Sequence, residues 1–590
     1  MGLASTVAST PRMGVSQRAR PTTRHSTTPP AADHNIGGMI STTHRLPLLL
    51  IALATVFTGC AAPSVLKHDA NTIREHVIAV DDRGRPHDPA LPNGREFTLK
   101  EYRQQIKQML LAMRTFFREH PDRQILLFVH GGMNAPADSL QNADDEMDHV
   151  IAAGYYPIYL DWNSDLLSSY GEHITSITQG QTDESIGRRV LTPFYAIADL
   201  LRAAARVPIV WVNQAGGDIE SAAGDIAALP RQSSAPTSMP AEGDARLQRW
   251  AQGRHGQAVA EAYEQLRSAQ KDEQRTKKLS AKRQQLRIII GPDLDVSSRH
   301  LAELMAAYII TTPTKFLSQP FIDWLGTPAW QNMSRRTLMA YDGDLGGNLN
   351  NPDVEQQMVG QREKRGERAV DFSSTGALEV FREEFEKVVA SHQPASAPAT
   401  QPDPFAYHVT LIGHSMGTMV LNEWLRRDLL ESKNLSYANI VYMAAACSVR
   451  DFGRAVVPYL LQHQQTQFYN LMLHPLADLR ERRRAFDTPP RGSLLVWLDS
   501  FLAEPQTPLD RTMGRWDNII SATELIPNSV RGQVTLKAFA LAPYNDPTPP
   551  NGQPDYGPQE HGQFRGRPYW CEEFWASENP KVPDIDCLKP

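Results

Sequence analysis

The chain is poor in cysteine, with four in 590 residues. That is too few for a disulfide framework or a Cys-rich metal site. It has no apolar run long enough to cross a bilayer as a helix of the mature protein. It has no surplus of basic charge. A net charge of -6 offers no footprint for nucleic acid, which is not expected as a partner. Core-forming residues are not scarce. At 41% hydrophobic, the chain can build one large domain with insertions, or two domains.

What is present centres on one stretch, His408 to Leu421. An apolar, β-branched run leads into Gly413-His414-Ser415-Met416-Gly417, and a helical pattern follows to Leu430. Strand, sharp turn and helix form the context of a G-x-S-x-G nucleophile elbow, which lifts a serine hydroxyl above a sheet edge. The glycines are needed because side chains there would strike the neighbouring strand or helix. Ser415 is therefore the candidate nucleophile. The Met416 N–H, at the start of the helix, is a candidate oxyanion donor.

Upstream, Gln124 to Val129 reads as a buried strand running into His130-Gly131-Gly132-Met133. A loop of this kind turns backbone N–H groups toward a nucleophile, so Gly132 and Met133 are the expected second oxyanion donors. Leu99 to Glu119 has helical spacing, as does Ala137 to Ala153. Ile73 to Val80 reads as a strand ending in the turn Asp81-Asp82-Arg83-Gly84. Tyr155 to Trp162 is another strand, and Asp161 to Ser164 at its end either lines a pocket or forms a structural turn.

A long excursion then runs to Pro404. Arg188 to Ala204 reads as an amphipathic helix, and 207–212 as a short strand or a buried continuation. Leu247 to Leu286 is charged at helical spacing and reads as one or two solvated helices. Tyr308 to Trp330 mixes aromatics with prolines, the make-up of either a pocket cap or a packing segment. Ala377 to Ala390 is a helix, and a Pro/Ala linker over 391–404 precedes the elbow strand.

Beyond Ser415, an acid and then a histidine are expected in that order. Asp478 follows the strand 467–473 and is the first candidate acid. Asp451, after the strand 438–446, is the second, ahead of Asp487, Asp499 and Asp510. His561 lies in a loop after the last strand, 534–541, from where a general base reaches back over the sheet edge. His414 reads as a packing residue of the elbow. Cys447 reads as a small buried apolar residue. Cys571 and Cys587 are either a tail-pinning disulfide or two free thiols.

The first 38 residues are rich in Ser, Thr, Pro and Arg and read as disordered or as an over-extended reading frame. Met39 opens a signal-peptide pattern: basic His44-Arg45, apolar Leu46 to Phe57, then Thr58-Gly59-Cys60-Ala61. Its end resembles a bacterial lipobox, with Phe57 where Leu is usual. The resemblance implies lipidation of Cys60, a membrane anchor and a place in the cell envelope, or secretion if the anchor is absent.

Three motifs together resemble the α/β-hydrolase superfamily, in particular serine esterases and lipases. They are Phe128-Val129-His130-Gly131-Gly132, the elbow, and Glu560-His561-Gly562-Gln563-Phe564. The likeness covers about 73–165 and 405–565. Residues 166–404 are left as a mainly helical insertion and 566–590 as a tail. It implies a mostly parallel sheet with helices on both faces, no cofactor or metal, and carboxylic-ester cleavage by a Ser415–His561–Asp478 triad. An acyltransferase, a thioesterase and a non-catalytic envelope scaffold are the alternatives.

Overall fold

The structure is a computed structural model. It describes residues 66–580 except 92–93, 133–134, 179–180, 183–191, 209–285, 292–297, 344–371, 373–374, 391–407, 431–434, 482–491 and 543–555. The signal segment with Cys60, Met133, Asp487, Cys587, the linker over 391–404 and the charged stretch 247–285 lie outside the described residues.

Among the described residues the strands are β1 (Val77–Val80), β2 (Pro86–His87), β3 (Gln124–Val129), β4 (Tyr155–Trp162), β5 (Ile177–Thr178), β6 (Gln181–Thr182), β7 (Arg287–Ile290), β8 (Val409–His414), β9 (Asn439–Met443), β10 (Gln467–Met472) and β11 (Val534–Ala538). Nine form one sheet in the order β2-β1-β4-β3-β8-β9-β10-β11-β7, while β5 and β6 make a separate two-strand ribbon. Within the nine-stranded sheet, β2 runs antiparallel to β1 and every other pairing is parallel. Helices connect the parallel strands, so the chain is of the α/β class.

Every residue of β8 is buried. A central parallel strand is covered on both faces, which is why its sequence reads as one apolar run rather than as alternation. The order of strands also fixes a switch point. From β3 the chain moves to β4 on one side, whereas from β8 it moves to β9 on the other. Adjacent strands whose connections leave in opposite directions open a crevice at their carboxyl ends, where sites form in open α/β sheets. The loop after β3 and the turn after β8 flank that crevice.

Two parts of the chain fold otherwise than expected. The segment 73–80 splits: Asp69 accepts hydrogen bonds from the N–H groups of Asn71 and Thr72 and caps a helix, Ala70–His76. Only Val77–Val80 remains as strand. The turn that follows is the one expected, with Gly84 at φ +77° and Asp81 Oδ1 accepting from Arg83 N and Arg85 N at 2.9 and 2.8 Å. The excursion after β4 is not wholly helical. It returns β7 to the sheet edge beside β11, a pairing that four residues in a charged neighbourhood do not announce. Of 207–212, expected to be a short strand or a buried continuation, the described residues 207 and 208 continue a helix over 192–208, at its half-buried to exposed end.

The excursion also reaches the core. Its helix Ser298–Asp342 ends against the elbow helix Gly417–Leu430. Tyr341 OH donates to Val420 O at 2.8 Å, and Arg427 pairs with Asp342 at 2.7 Å. The Ala377–Ala390 helix sets Phe381 and Phe385 against Trp424, whose Nε1 donates to Tyr437 OH at 2.6 Å. All of these aromatic side chains are fully buried. Trp424→Ala is expected to lower the unfolding free energy by about 3–5 kcal/mol, through lost burial and a residual cavity. Urea denaturation of the variant against the parent checks this.

Candidate active site

Ser415 sits at φ +51°, in the left-handed region that a residue with a side chain rarely adopts. Such a conformation costs of order 1–3 kcal/mol and persists only where the surroundings impose it. Here they do. Ser415 N donates to Met443 O at 2.9 Å, and Ser415 O accepts from Ala446 N at 3.1 Å and Thr418 Oγ1 at 2.6 Å. The flanking glycines have the steric role expected of them. A Cβ on Gly417 would overlap Val129 O of β3, and one on Gly413 would lie 3.0 Å from Leu421 Cδ1.

The turn presents Ser415 Oγ to His561 Nε2 at 3.0 Å, across 146 residues of chain. Ser415 is 1% exposed and His561 6% exposed. The pair therefore works away from bulk water, where a hydrogen bond is electrostatically stronger. His561 opens a short 3-10 turn, His561–Phe564. That turn is held by Phe564, buried against Phe539 and His414, and by Gln559, which bridges Ala542 N and Ala540 O.

His414 has a larger part than packing. Its Nε2 lies 3.2 Å from His561 O. A carbonyl only accepts, so Nε2 carries the hydrogen and donates it. Burial holds the His414 imidazole down to about 4, well below the usual histidine range, so the ring is neutral near pH 7.

At the end of β3, Gly131 and Gly132 bring bare backbone against the elbow. A Cβ on Gly131 would sit 2.8 Å from Ser415 Cβ, and one on Gly132 would overlap Met416 Sδ. His130 anchors this loop to β4. Its Nε2 lies 3.0 Å from Asp161 Oδ1, and Trp162 Nε1 donates to His130 O at 3.2 Å. Ser164 Oγ donates to Gly131 O at 3.1 Å. The end of β4, left open between pocket lining and structural turn, thus serves to hold the glycine loop. Of the expected oxyanion donors, Met416 and Gly132 lie side by side.

Compared with known proteins, the chain matches no family model, no curated protein and no solved structure.

The candidate acids have partners elsewhere in the fold. Asp478 is turned to Arg515, with Oδ2 3.0 Å from Nε, and burial raises its carboxyl to about 6. Asp451 closes the capping box with Ser448 that starts the helix Val449–Gln462, and it meets Arg426 at 3.2 Å. Asp499 accepts from Thr512 N and Asn518 Nδ2, and Asp510 caps a turn at Thr507. Among the described hydrogen bonds, a carboxylate meets the main chain of His561: Oε2 of the buried Glu481 accepts from the His561 backbone N–H at 2.8 Å. Glu481 stands just past the helix Pro475–Arg480, three residues beyond Asp478. The connection after β10 that carries the first candidate acid, Asp478, thus also carries Glu481, which meets the main chain of His561.

Cys447 is buried, and burial pushes its thiol up to about 12, which excludes it as a nucleophile near neutral pH. Cys571 is disulfide-bonded, with its partner beyond the described residues. Among the described residues no group of His, Cys, Asp or Glu is arranged to hold a metal ion.

Two measurements check these assignments. Glu481→Gln is expected to slow acylation of Ser415 by roughly 10- to 100-fold through misplacement of His561. Asp478→Asn is expected to act on stability more than on that rate. Stopped-flow labelling and urea unfolding of both variants separate the two. The depressed His414 imidazole makes the unfolded chain bind more protons between pH 6.5 and 4. Its contribution to stability is thus full above 6.5 and lost as pH falls toward 4. His414→Phe is expected to reduce the slope of unfolding free energy against pH in that window by up to about 1.4 kcal/mol per pH unit.

Proposed function

We propose that the protein is a serine hydrolase on an α/β-hydrolase fold that cleaves carboxylic esters through an acyl-enzyme. One observation carries this reading: a serine strained to φ +51° at the carboxyl end of β8, with its Oγ 3.0 Å from His561 Nε2. A resting structural serine has no need of that backbone conformation, and an elbow with a base in reach does. The crevice between β3 and β8 and the glycine loop beside Met416 support the same reading.

In this mechanism Ser415 Oγ attacks the ester carbonyl while His561 Nε2 takes the hydroxyl proton. The oxyanion is held by the Met416 N–H and a backbone N–H of the Gly132–Met133 loop. Each such donor contributes about 3 kcal/mol to the transition state. The tetrahedral intermediate expels the alcohol, which receives the proton from His561. Water then repeats the sequence, with His561 taking its proton and returning it to Ser415 as the acid leaves. Glu481 fixes the main chain of His561, and His414 fixes its carbonyl. No cofactor enters the scheme. The sequence before residue 66 adds a second element, export and attachment of the chain to a bacterial membrane through a lipid on Cys60.

The test is labelling with a fluorophosphonate, which reports an activated serine whatever the natural ester. The parent is expected to label and Ser415→Ala to be silent, with turnover of p-nitrophenyl esters lowered by about 10⁶-fold. A folded Ser415→Ala variant that keeps full esterase activity overturns the proposal. Added acceptor alcohols distinguish transfer from hydrolysis.

A further inference from the structure

The helix over 192–208 has its polarity reversed. A helix on a globular domain normally turns its apolar stripe to the core and its charges to water. Here the charges are held by other parts of the chain. Asp199 meets His173 at 3.0 Å, Arg206 meets Asp323 at 3.0 Å, and Arg202 meets Glu504 at 3.2 Å. The helix is fastened further by Trp324 Nε1, which donates to Ala196 O at 2.9 Å. Its other face is Phe194 (67% exposed), Ile197 (54%), Leu200 and Leu201 (64%), and the adjoining helix Leu166–Ser176 adds exposed Leu167. Spacings of three, three and one place the four on one side of the helix. Among the described residues the large exposed hydrophobics are nine, and these five gather on two linked helices. Contiguous exposure of this kind marks an interaction surface rather than the scatter found on any protein.

We infer that this helix face is a docking surface for a phospholipid bilayer, lying in the interfacial plane with Phe194, Ile197 and Leu201 inserted. Two observations favour lipid over a protein partner. Among the described residues the charged side chains of this helix, Asp199, Arg202 and Arg206, are all paired within the chain, and its exposed face offers a smooth row of aliphatic and aromatic groups, the apolar side of an interfacial helix. The chain outside the described residues also bears on the occupant. Cys60 precedes the first described residue by six positions, a reach of about 20 Å when fully extended. A lipid there keeps Leu66, where the domain starts, within that distance of a membrane. Stable attachment takes two signals, and an apolar helix face is the kind of second signal that suits such a tether. The tether argument rests on the lipoprotein reading given above; the reversed helix does not.

The test therefore omits the tether. The core begins at Ile73, and Val65–Pro590 is one compact unit, so residues 61–590 are assayed as a folded protein. Flotation with phosphatidylcholine vesicles is expected to carry the protein to the top of the gradient, equally at low salt and at 0.5 M salt, because no basic face is involved. Phe194→Glu with Leu201→Glu is expected to lower the floated fraction at least tenfold while fluorophosphonate labelling of Ser415 is unchanged. A Leu201→Cys variant carrying an environment-sensitive dye gives a second readout, a blue shift on adding vesicles. Absence of flotation by the parent, equal flotation by the double variant, or no blue shift overturns the inference. So does a dimer in sedimentation that the double variant breaks without any vesicle binding, which makes the face a contact between copies. Loss of serine labelling in the parent, with flotation intact, counts against the hydrolase reading and leaves the docking surface standing.

Discussion

The left-handed backbone at Ser415 is the constraint on which the site depends. It is kept by hydrogen bonds that the serine's own main chain makes to Met443, the last residue of β9, and to Ala446 just beyond it. Those bonds exist only because β8 and β9 are paired in parallel with His414 opposite Met443. The glycines on either side remove the two side chains that would collide with β3 and with the elbow helix. Position, strain and space at Ser415 are therefore one consequence of strand pairing.

The rest of the molecule holds that arrangement from behind. Arg382 and Arg427, both buried, reach Asp428 at 2.9 Å and Asp342 at 2.7 Å, and Arg427 also lies over the Tyr341 ring. Buried charges are tolerable only when paired and hydrogen-bonded. Their pairing here joins the elbow helix to the end of the Ser298–Asp342 helix and to the middle of the Ala377–Ala390 helix, both contributed by the long excursion. The excursion consequently has two characters. Where it meets the elbow helix it belongs to the core, and over 192–208 it turns an apolar face outward.

Much of the site was legible because its chemistry is written locally. Gly413-x-Ser415-x-Gly417 after an apolar run predicts its own turn, and the structure places Ser415 there at positive φ. His561 was marked by its place after the last strand, and the fold brings it to Ser415. The contact of Glu481 with the main chain of His561 was not legible, since the two lie 80 positions apart. The role of His414 as a donor to His561 O also needed the fold, since the two are 147 positions apart. β7 was missed for a related reason, because its four residues become strand only by lying against β11.

The sequence alone determined the α/β alternation, the ends of β3, β4 and β8, the sharp turn at Ser415 and the residue types available for acyl chemistry. These depend on sterics and periodicity within a dozen residues, which the order of side chains specifies directly. Tertiary structure decided which strands are neighbours, where the switch point falls, which carboxylate meets the main chain of His561 and which face of the 192–208 helix meets water. Those outcomes depend on the path of the chain between distant segments. Burial and charge pairing select among arrangements there that local pattern leaves equal.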